Sequence, residues 1–199
     1  PSSAPVILVS IDTLRADRLP AYGYQKVRTP NLDAFAGESV LFERAYAHAP
    51  QTLPAHASIL TGELPFEHGV RDNVGFTMKP GHWSVQAALR GRGWPTAGFV
   101  SAYVLRSQTG IGEGFETYDS ELPAASGELT VGQVQRSGEA RVAAAHTWLS
   151  QREKTRPFFL FLHLYEPHKP YAPPARFASY DPYDGEIAYV DEILGRFFD

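Results

Sequence analysis

Val6-Ile7-Leu8-Val9-Ser10-Ile11-Asp12 is an apolar, β-branched run that stops on a carboxylate. It reads as a buried parallel strand over residues 6–11. Asp12 then falls at the carboxyl end of that strand. A carboxylate is expensive to leave unpaired in such a place. A hard divalent cation is a common partner, because oxygen ligands suit it. The alternative is that Asp12 caps a turn or pairs with Arg15.

Outward from this run, strand and helix patterns alternate. Thr29-Pro30-Asn31-Leu32-Asp33 is a turn entering a helix, with Thr29 or Asn31 as the cap. Residues 40–46 predict a second strand. Residues 53–60 predict a short helix, preceded by Thr52 and closed by Gly62. A helix at 82–90 leads into a strand at 96–100. The Gly- and Ser-rich stretch 107–130 holds a short strand around 115–118. Residues 131–152 predict a longer helix with Val134, Val142, Ala145 and Leu149 inward. Residues 157–164 are apolar except for His163 and predict a central strand. A Pro- and Tyr-rich loop spans 167–182. The last 17 residues predict an amphipathic helix with Ile187, Val190, Leu194 and Phe197/Phe198 on one face. Gly195 lies inside that apolar pattern and is a poor stop signal, so the chain is expected to continue beyond Asp199. The alternation argues for α/β layers around a mostly parallel sheet, in which ligands gather at the carboxyl ends of the strands.

The bulk properties narrow the function. With 199 residues the chain can bury one sizeable core. A net charge of −4 gives no reason to expect a nucleic-acid partner. No run of about 18 apolar residues is present, so no transmembrane helix is expected. No secretory signal is visible either, although the first residue is Pro rather than Met. The absence of Cys excludes disulfides, thiolate metal sites and a Cys nucleophile.

Two further stretches carry chemistry. In Gln51-Thr52-Leu53-Pro54-Ala55-His56-Ala57-Ser58-Ile59-Leu60-Thr61-Gly62, Pro54 suits the first helical turn. Thr52 then sits at a helix N-terminus, where free N–H groups and the dipole favour an anion. A hydroxyl there can attack a phosphoryl or sulfuryl centre once a base or a metal activates it. The competing reading is a plain N-cap with His56 packed or on the surface. His68 and Asn73 follow this helix and border the same region; the His-Gly context of His68 reads as a structural turn. In His163-Leu164-Tyr165-Glu166-Pro167-His168-Lys169-Pro170-Tyr171, two histidines and a Lys near a strand end can grip an oxyanion. A rigid Pro/Tyr loop packed over the sheet explains the same residues equally well.

The joint order of these motifs resembles the sulfatase-type branch of the alkaline phosphatase superfamily. The matching stretches are Ser10-Ile11-Asp12-Thr13-Leu14-Arg15-Ala16-Asp17, Thr29-Pro30-Asn31-Leu32-Asp33 and Phe42-Glu43-Arg44-Ala45-Tyr46. They continue with Ala57-Ser58-Ile59-Leu60-Thr61-Gly62, then Pro65, His68 and Gly69, then Glu166-Pro167-His168-Lys169-Pro170-Tyr171. The last is Tyr183-Asp184-Gly185-Glu186-Ile187-Ala188-Tyr189-Val190-Asp191. The resemblance implies an alkaline phosphatase-like three-layer α/β/α sandwich with a mostly parallel central sheet. Residues 1–199 would form the N-terminal portion of one such domain, truncated at its C-terminus. It also implies a divalent metal ion (Ca, Zn, Mn or Mg) on Asp12 and Thr52. Thr52 would be the nucleophile and His168 a catalytic contact to the transferred group, with His56, His163 and Asn73 toward the substrate. The remaining metal ligands would lie beyond residue 199. The implied substrate is a small-molecule, glycan or lipid ester, and related enzymes are often periplasmic, extracellular or membrane-tethered.

The chain departs from the sulfatase pattern at three places. True sulfatases resemble Cys/Ser-x-Pro-x-Arg at the nucleophile, and their Cys or Ser becomes formylglycine. Here the stretch is Thr52-Leu53-Pro54-Ala55-His56, so no formylglycine is expected and His56 stands for the Arg. A Gly-Lys-x-x-His-like signature should fall near residues 99–105, where neither Lys nor His occurs. The double Asp after the first strand is here Asp12-Thr13. A Thr nucleophile resembles the phosphodiesterases, phosphomutases and phosphoethanolamine-type transferases of the superfamily. The expectation is therefore a metal-dependent hydrolase or transferase of phosphate or sulfate esters. A sulfatase proper and a non-catalytic member that keeps the fold are the alternatives.

Overall fold

The computed structural model describes residues 4–122 and 135–198. Four strands, β1 (Val6–Ile11), β2 (Thr96–Val100), β3 (Thr117–Asp119) and β4 (Phe159–Leu164), form one sheet in the order β1-β4-β2-β3. All pairs are parallel, with Ser10 beside His163 and Val100 beside the same His163. Helices α2 (Thr52–Thr61) and α4 (Val85–Gly91) cover one face, and α5 (Gly138–Gln151) and α6 (Pro182–Phe198) cover the other. Helices α1 (Pro30–Gly37) and α3 (Pro65–His68) complete the frame. This is the expected three-layer α/β/α sandwich with a parallel sheet.

The period-two alternation of β4 explains both the layers and the site. Phe159 and Phe161 pack with Leu53, Ala57 and Leu60 of α2. Leu160, Leu162 and Leu164 pack with Val142 and Ala145 of α5 and with Val190, Ile193 and Leu194 of α6. His163 shares the parity of Phe159 and Phe161, so it faces α2. In β1, Leu8 joins the α2 side whereas Val9 and Ile11 join the α6 side. Ser10 and Asp12 follow the parity of Leu8 and meet the start of α2.

Three expectations change. β1, expected to be buried, lies at the edge of the described sheet, paired on one side to β4, and its first residues Val6 and Ile7 are 43% and 45% exposed. Residues 40–46 form no strand; Val40 and Tyr46 are 80% and 81% exposed. No described strand offers this segment a ladder, and its apolar side chains meet no core, so β-propensity alone does not order it. The helix expected over 131–152 is seen as Gly138–Gln151, with residues 131–134, including Val134, outside the described residues. Its first N–H, on Gly138, is taken by the Glu166 carboxylate at 3.1 Å.

Gly195 continues α6 for a packing reason. A Cβ there would lie 2.5 Å from Asn31 Cγ. The Asn31 amide donates to the Asp191 carboxylate at 2.9 Å, and the Leu32 N–H does so at 2.8 Å. The first turn of α1 is thereby fastened to α6, and the glycine admits the Asn31 side chain. Among the described residues no helix is long and apolar enough to cross a membrane.

Candidate active site

Asp12, Thr52, His56 and His163 converge where β1 and β4 end and α2 begins. Asp12 is buried, at 8% exposure. The Thr52 hydroxyl donates toward its carboxylate, with Oγ1 3.1 Å from Oδ2 and 3.4 Å from Oδ1. Thr52 is the first residue of the helix rather than its cap; Gln51 holds the cap position without a side-chain bond. The pairing of Asp12 with Arg15 does not occur, since Arg15 binds Asp17 at 2.6 Å. Burial pushes the Asp12 carboxyl up, but the neighbouring imidazoles, His163 foremost, outweigh it and hold the group below the usual carboxylate value.

His56 is buried between two partners. Its Nδ1 lies 2.7 Å from the Thr52 carbonyl oxygen and its Nε2 2.8 Å from Ser10 Oγ. A carbonyl only accepts, so Nδ1 carries the proton and Nε2 accepts from the serine hydroxyl. Burial, with repulsion from His163, pulls its pKa down to about 4. His56 is therefore neutral at physiological pH.

His163 is fully buried. Its Nδ1 accepts the Ser101 N–H at 3.4 Å, which places the proton on Nε2. That N–H faces Asp12 Oδ2 at 3.6 Å, beyond hydrogen-bond distance, and has no other partner among the described residues. Asn73 accepts the Leu53 N–H at 2.8 Å and so occupies one of the free N–H groups of the α2 N-terminus. His68 accepts from the Val70 N–H at 3.1 Å and lies 3.0 Å from Ser58 Oγ, the structural role its turn context implied.

His168 stands on the loop that follows β4. Its ring stacks on Tyr165, with centroids 4.2 Å apart, and its Nδ1 donates to the Lys169 carbonyl at 2.8 Å. The loop reaches the Asp12 turn through the Thr13 hydroxyl, which donates to the Pro167 carbonyl. Thr13 itself has φ 52°, a left-handed conformation uncommon for a β-branched residue. Three residues of this constellation were not singled out as site residues from sequence: Ser10, Ser101 and Glu186. Ser10 had a signal, as a polar residue in an apolar strand at the parity of Asp12.

A divalent cation fits one side of this arrangement. Asp12 and Thr52 supply hard oxygen donors, and among the described residues no Lys or Arg pairs with the Asp12 carboxylate. Among the described residues no three acidic, His or Cys side chains close a full shell.

The family model described as Sulfatase matches residues 5–199. An N-acetylglucosamine-6-O-sulfatase of Bacteroides thetaiotaomicron is 24% identical over 180 residues, covering 86% of this chain and 32% of its own. The phosphonate monoester hydrolase of Agrobacterium radiobacter superposes with a TM-score of 0.78 at 21% identity, over 98% of this chain and 58% of that one. A protein solved with its substrate D-glucosamine-2-N,6-O-disulfate superposes with a TM-score of 0.73 at 24% identity, over 87% of this chain and 36% of that one. The chain thus spans about a third of the length of the curated relative.

Proposed function

The chain belongs to the sulfatase family, and on that premise we propose that it carries the nucleophile of an enzyme that cleaves or transfers phosphate or sulfate esters through Thr52. The observation that carries this reading is the Thr52 hydroxyl at the first turn of α2, 3.1 Å from a buried carboxylate that also faces the His163 ring. The substrate is a small-molecule, glycan or lipid ester.

Each residue has a stated part. Asp12 and Thr52 would hold a divalent ion (Ca, Zn, Mn or Mg). Such an ion makes a hydroxyl more acidic and offsets negative charge on the transferred group. As its proton passes to the leaving oxygen by way of Asp12 or solvent, Thr52 Oγ attacks phosphorus or sulfur, the bond to the leaving oxygen breaks, and the group rests on Thr52 until water or an acceptor alcohol removes it. The N-terminus of α2 adds partial positive charge beneath the transferred oxygens. His163 directs its buried N–H toward Asp12 Oδ2 and so steadies that carboxylate. His168 commits Nδ1 to Lys169, which leaves Nε2 for the transferred group; a hydrogen bond to an anionic oxygen there requires the imidazolium form. His56 and Asn73 border the substrate while bonded to Thr52 and Leu53. Thr52 is not a precursor of formylglycine, which favours phosphate esters.

Sulfate-ester cleavage is the second reading, favoured by the sulfatase relative. Metal content and turnover of an aryl phosphate diester and an aryl sulfate, before and after chelation, separate the two. Chelator-sensitive diester cleavage supports the proposal. Cleavage of the sulfate alone moves the assignment to a sulfatase, and a metal-free, inert intact protein overturns both.

A further inference from the structure

Helix α6 carries Tyr183 and Glu186 three residues apart, hence on one face. The Tyr183 hydroxyl donates to the Thr13 carbonyl at 2.7 Å and accepts the Arg15 N–H at 3.0 Å. It grips the turn that leaves Asp12 on both sides of Leu14. Thr13 is the residue with φ 52°, a conformation that persists only where neighbours over-determine it. Tyr183 and the Pro167 carbonyl are those neighbours. Glu186 is 4% exposed. Its carboxylate accepts the His168 N–H at 3.0 Å and the Ala172 N–H at 2.7 Å, drawing both ends of the His168 loop onto α6. Gly185 lets that loop close in, since a Cβ would lie 2.9 Å from Pro173 Cγ.

We propose that Tyr183 and Glu186 are positioning residues: α6 is the template that holds the His168 loop against the Asp12 turn and sets the span across which Asp12, Thr52 and His168 meet one ester. This rests on the roles given above to Asp12 and His168. Neither α6 residue touches the ester. They act through the backbone of the two segments, which the Thr13–Pro167 contact already joins.

The test uses Tyr183→Phe, Glu186→Gln and Glu186→Ala in the intact protein. Hydrogen exchange at the His168 and Ala172 amides should quicken by about tenfold or more in Glu186→Ala, because each loses a charged acceptor. Amides of Leu160 and Leu162 in β4 should not change. Turnover of bis-4-nitrophenyl phosphate should fall about tenfold in kcat with KM nearly constant. Glu186→Gln keeps one acceptor, should recover part of both losses, and guards against simple unfolding of the Ala variant. Tyr183→Phe should weaken Mn2+ affinity about tenfold, as expected when a group supporting a ligand is lost. Unchanged exchange in Glu186→Ala, or unchanged kcat in a folded and active Glu186→Ala enzyme, overturns the proposal. Wild-type protein inert toward both ester classes overturns the functional reading instead, and the exchange and Mn2+ measurements then decide this one.

Discussion

His56 joins Ser10 to Thr52: its Nε2 accepts the Ser10 hydroxyl at 2.8 Å while its Nδ1–H reaches the Thr52 carbonyl at 2.7 Å. A strand end and a helix start are thereby held in register by one neutral ring. In the sulfatase pattern this position is an arginine. Here the same position contributes no charge to the site, and both ring nitrogens already have protein partners.

The pH dependence of stability follows from that ring. An unfolded His56 titrates near 6.5, whereas the folded one titrates near 4. Between those values the unfolded chain binds the proton and the folded chain does not, so stability rises with pH across that window. The contribution is about 3 kcal/mol, fully present above 6.5 and lost as pH falls to 4. Chemical unfolding of wild type and His56→Gln at pH 7 and pH 4.5 should show the wild type losing more than the variant. Parallel losses would show that His56 is not buried as a neutral group.

Asp12→Asn removes the charged oxygen donor while keeping the shape. Divalent-ion affinity, followed by calorimetry with Mn2+ on the intact protein, should fall on the order of 100-fold. Chelator-sensitive turnover should go with it. Full retention of ion binding would move the metal site away from Asp12.

Gly195→Ala tests the packing of α6. Alanine is the better helix former by about 1 kcal/mol. Its Cβ, however, would meet Asn31 Cγ at 2.5 Å and Nδ2 at 2.6 Å. Displacing Asn31 breaks its bond to Asp191, so a net loss of about 1–3 kcal/mol is expected. Thermal unfolding decides it, and a stabilised variant would mean that the α1–α6 contact is loose.

Local pattern carried much of this fold. The strand bounds 6–11 and 96–100 agree with the structure because each run is apolar, short and closed by polar or turn residues. The parity of Ser10, Asp12 and His163 could be read from two strands once they were taken as parallel neighbours. Residues 40–46 failed because an apolar run becomes a strand only where another strand accepts its backbone. The partners of Asp12 and Thr52 were legible through motif order, whereas the bonds that shape the site were not. Tyr183 meets Thr13 across 170 positions and His56 meets Ser10 across 46, and no local period encodes such contacts. Glu186 shows only as one acidic residue in an amphipathic helix until the His168 loop folds over it.

The most direct test of the central claim is acid-quenched mass spectrometry of the intact, metal-loaded protein during turnover of bis-4-nitrophenyl phosphate. The expected result is a 4-nitrophenylphosphoryl ester on the peptide that contains Thr52, absent from Thr52→Ala, which should remain folded and lose turnover. A covalent group on another residue, or undiminished turnover in Thr52→Ala, would contradict it.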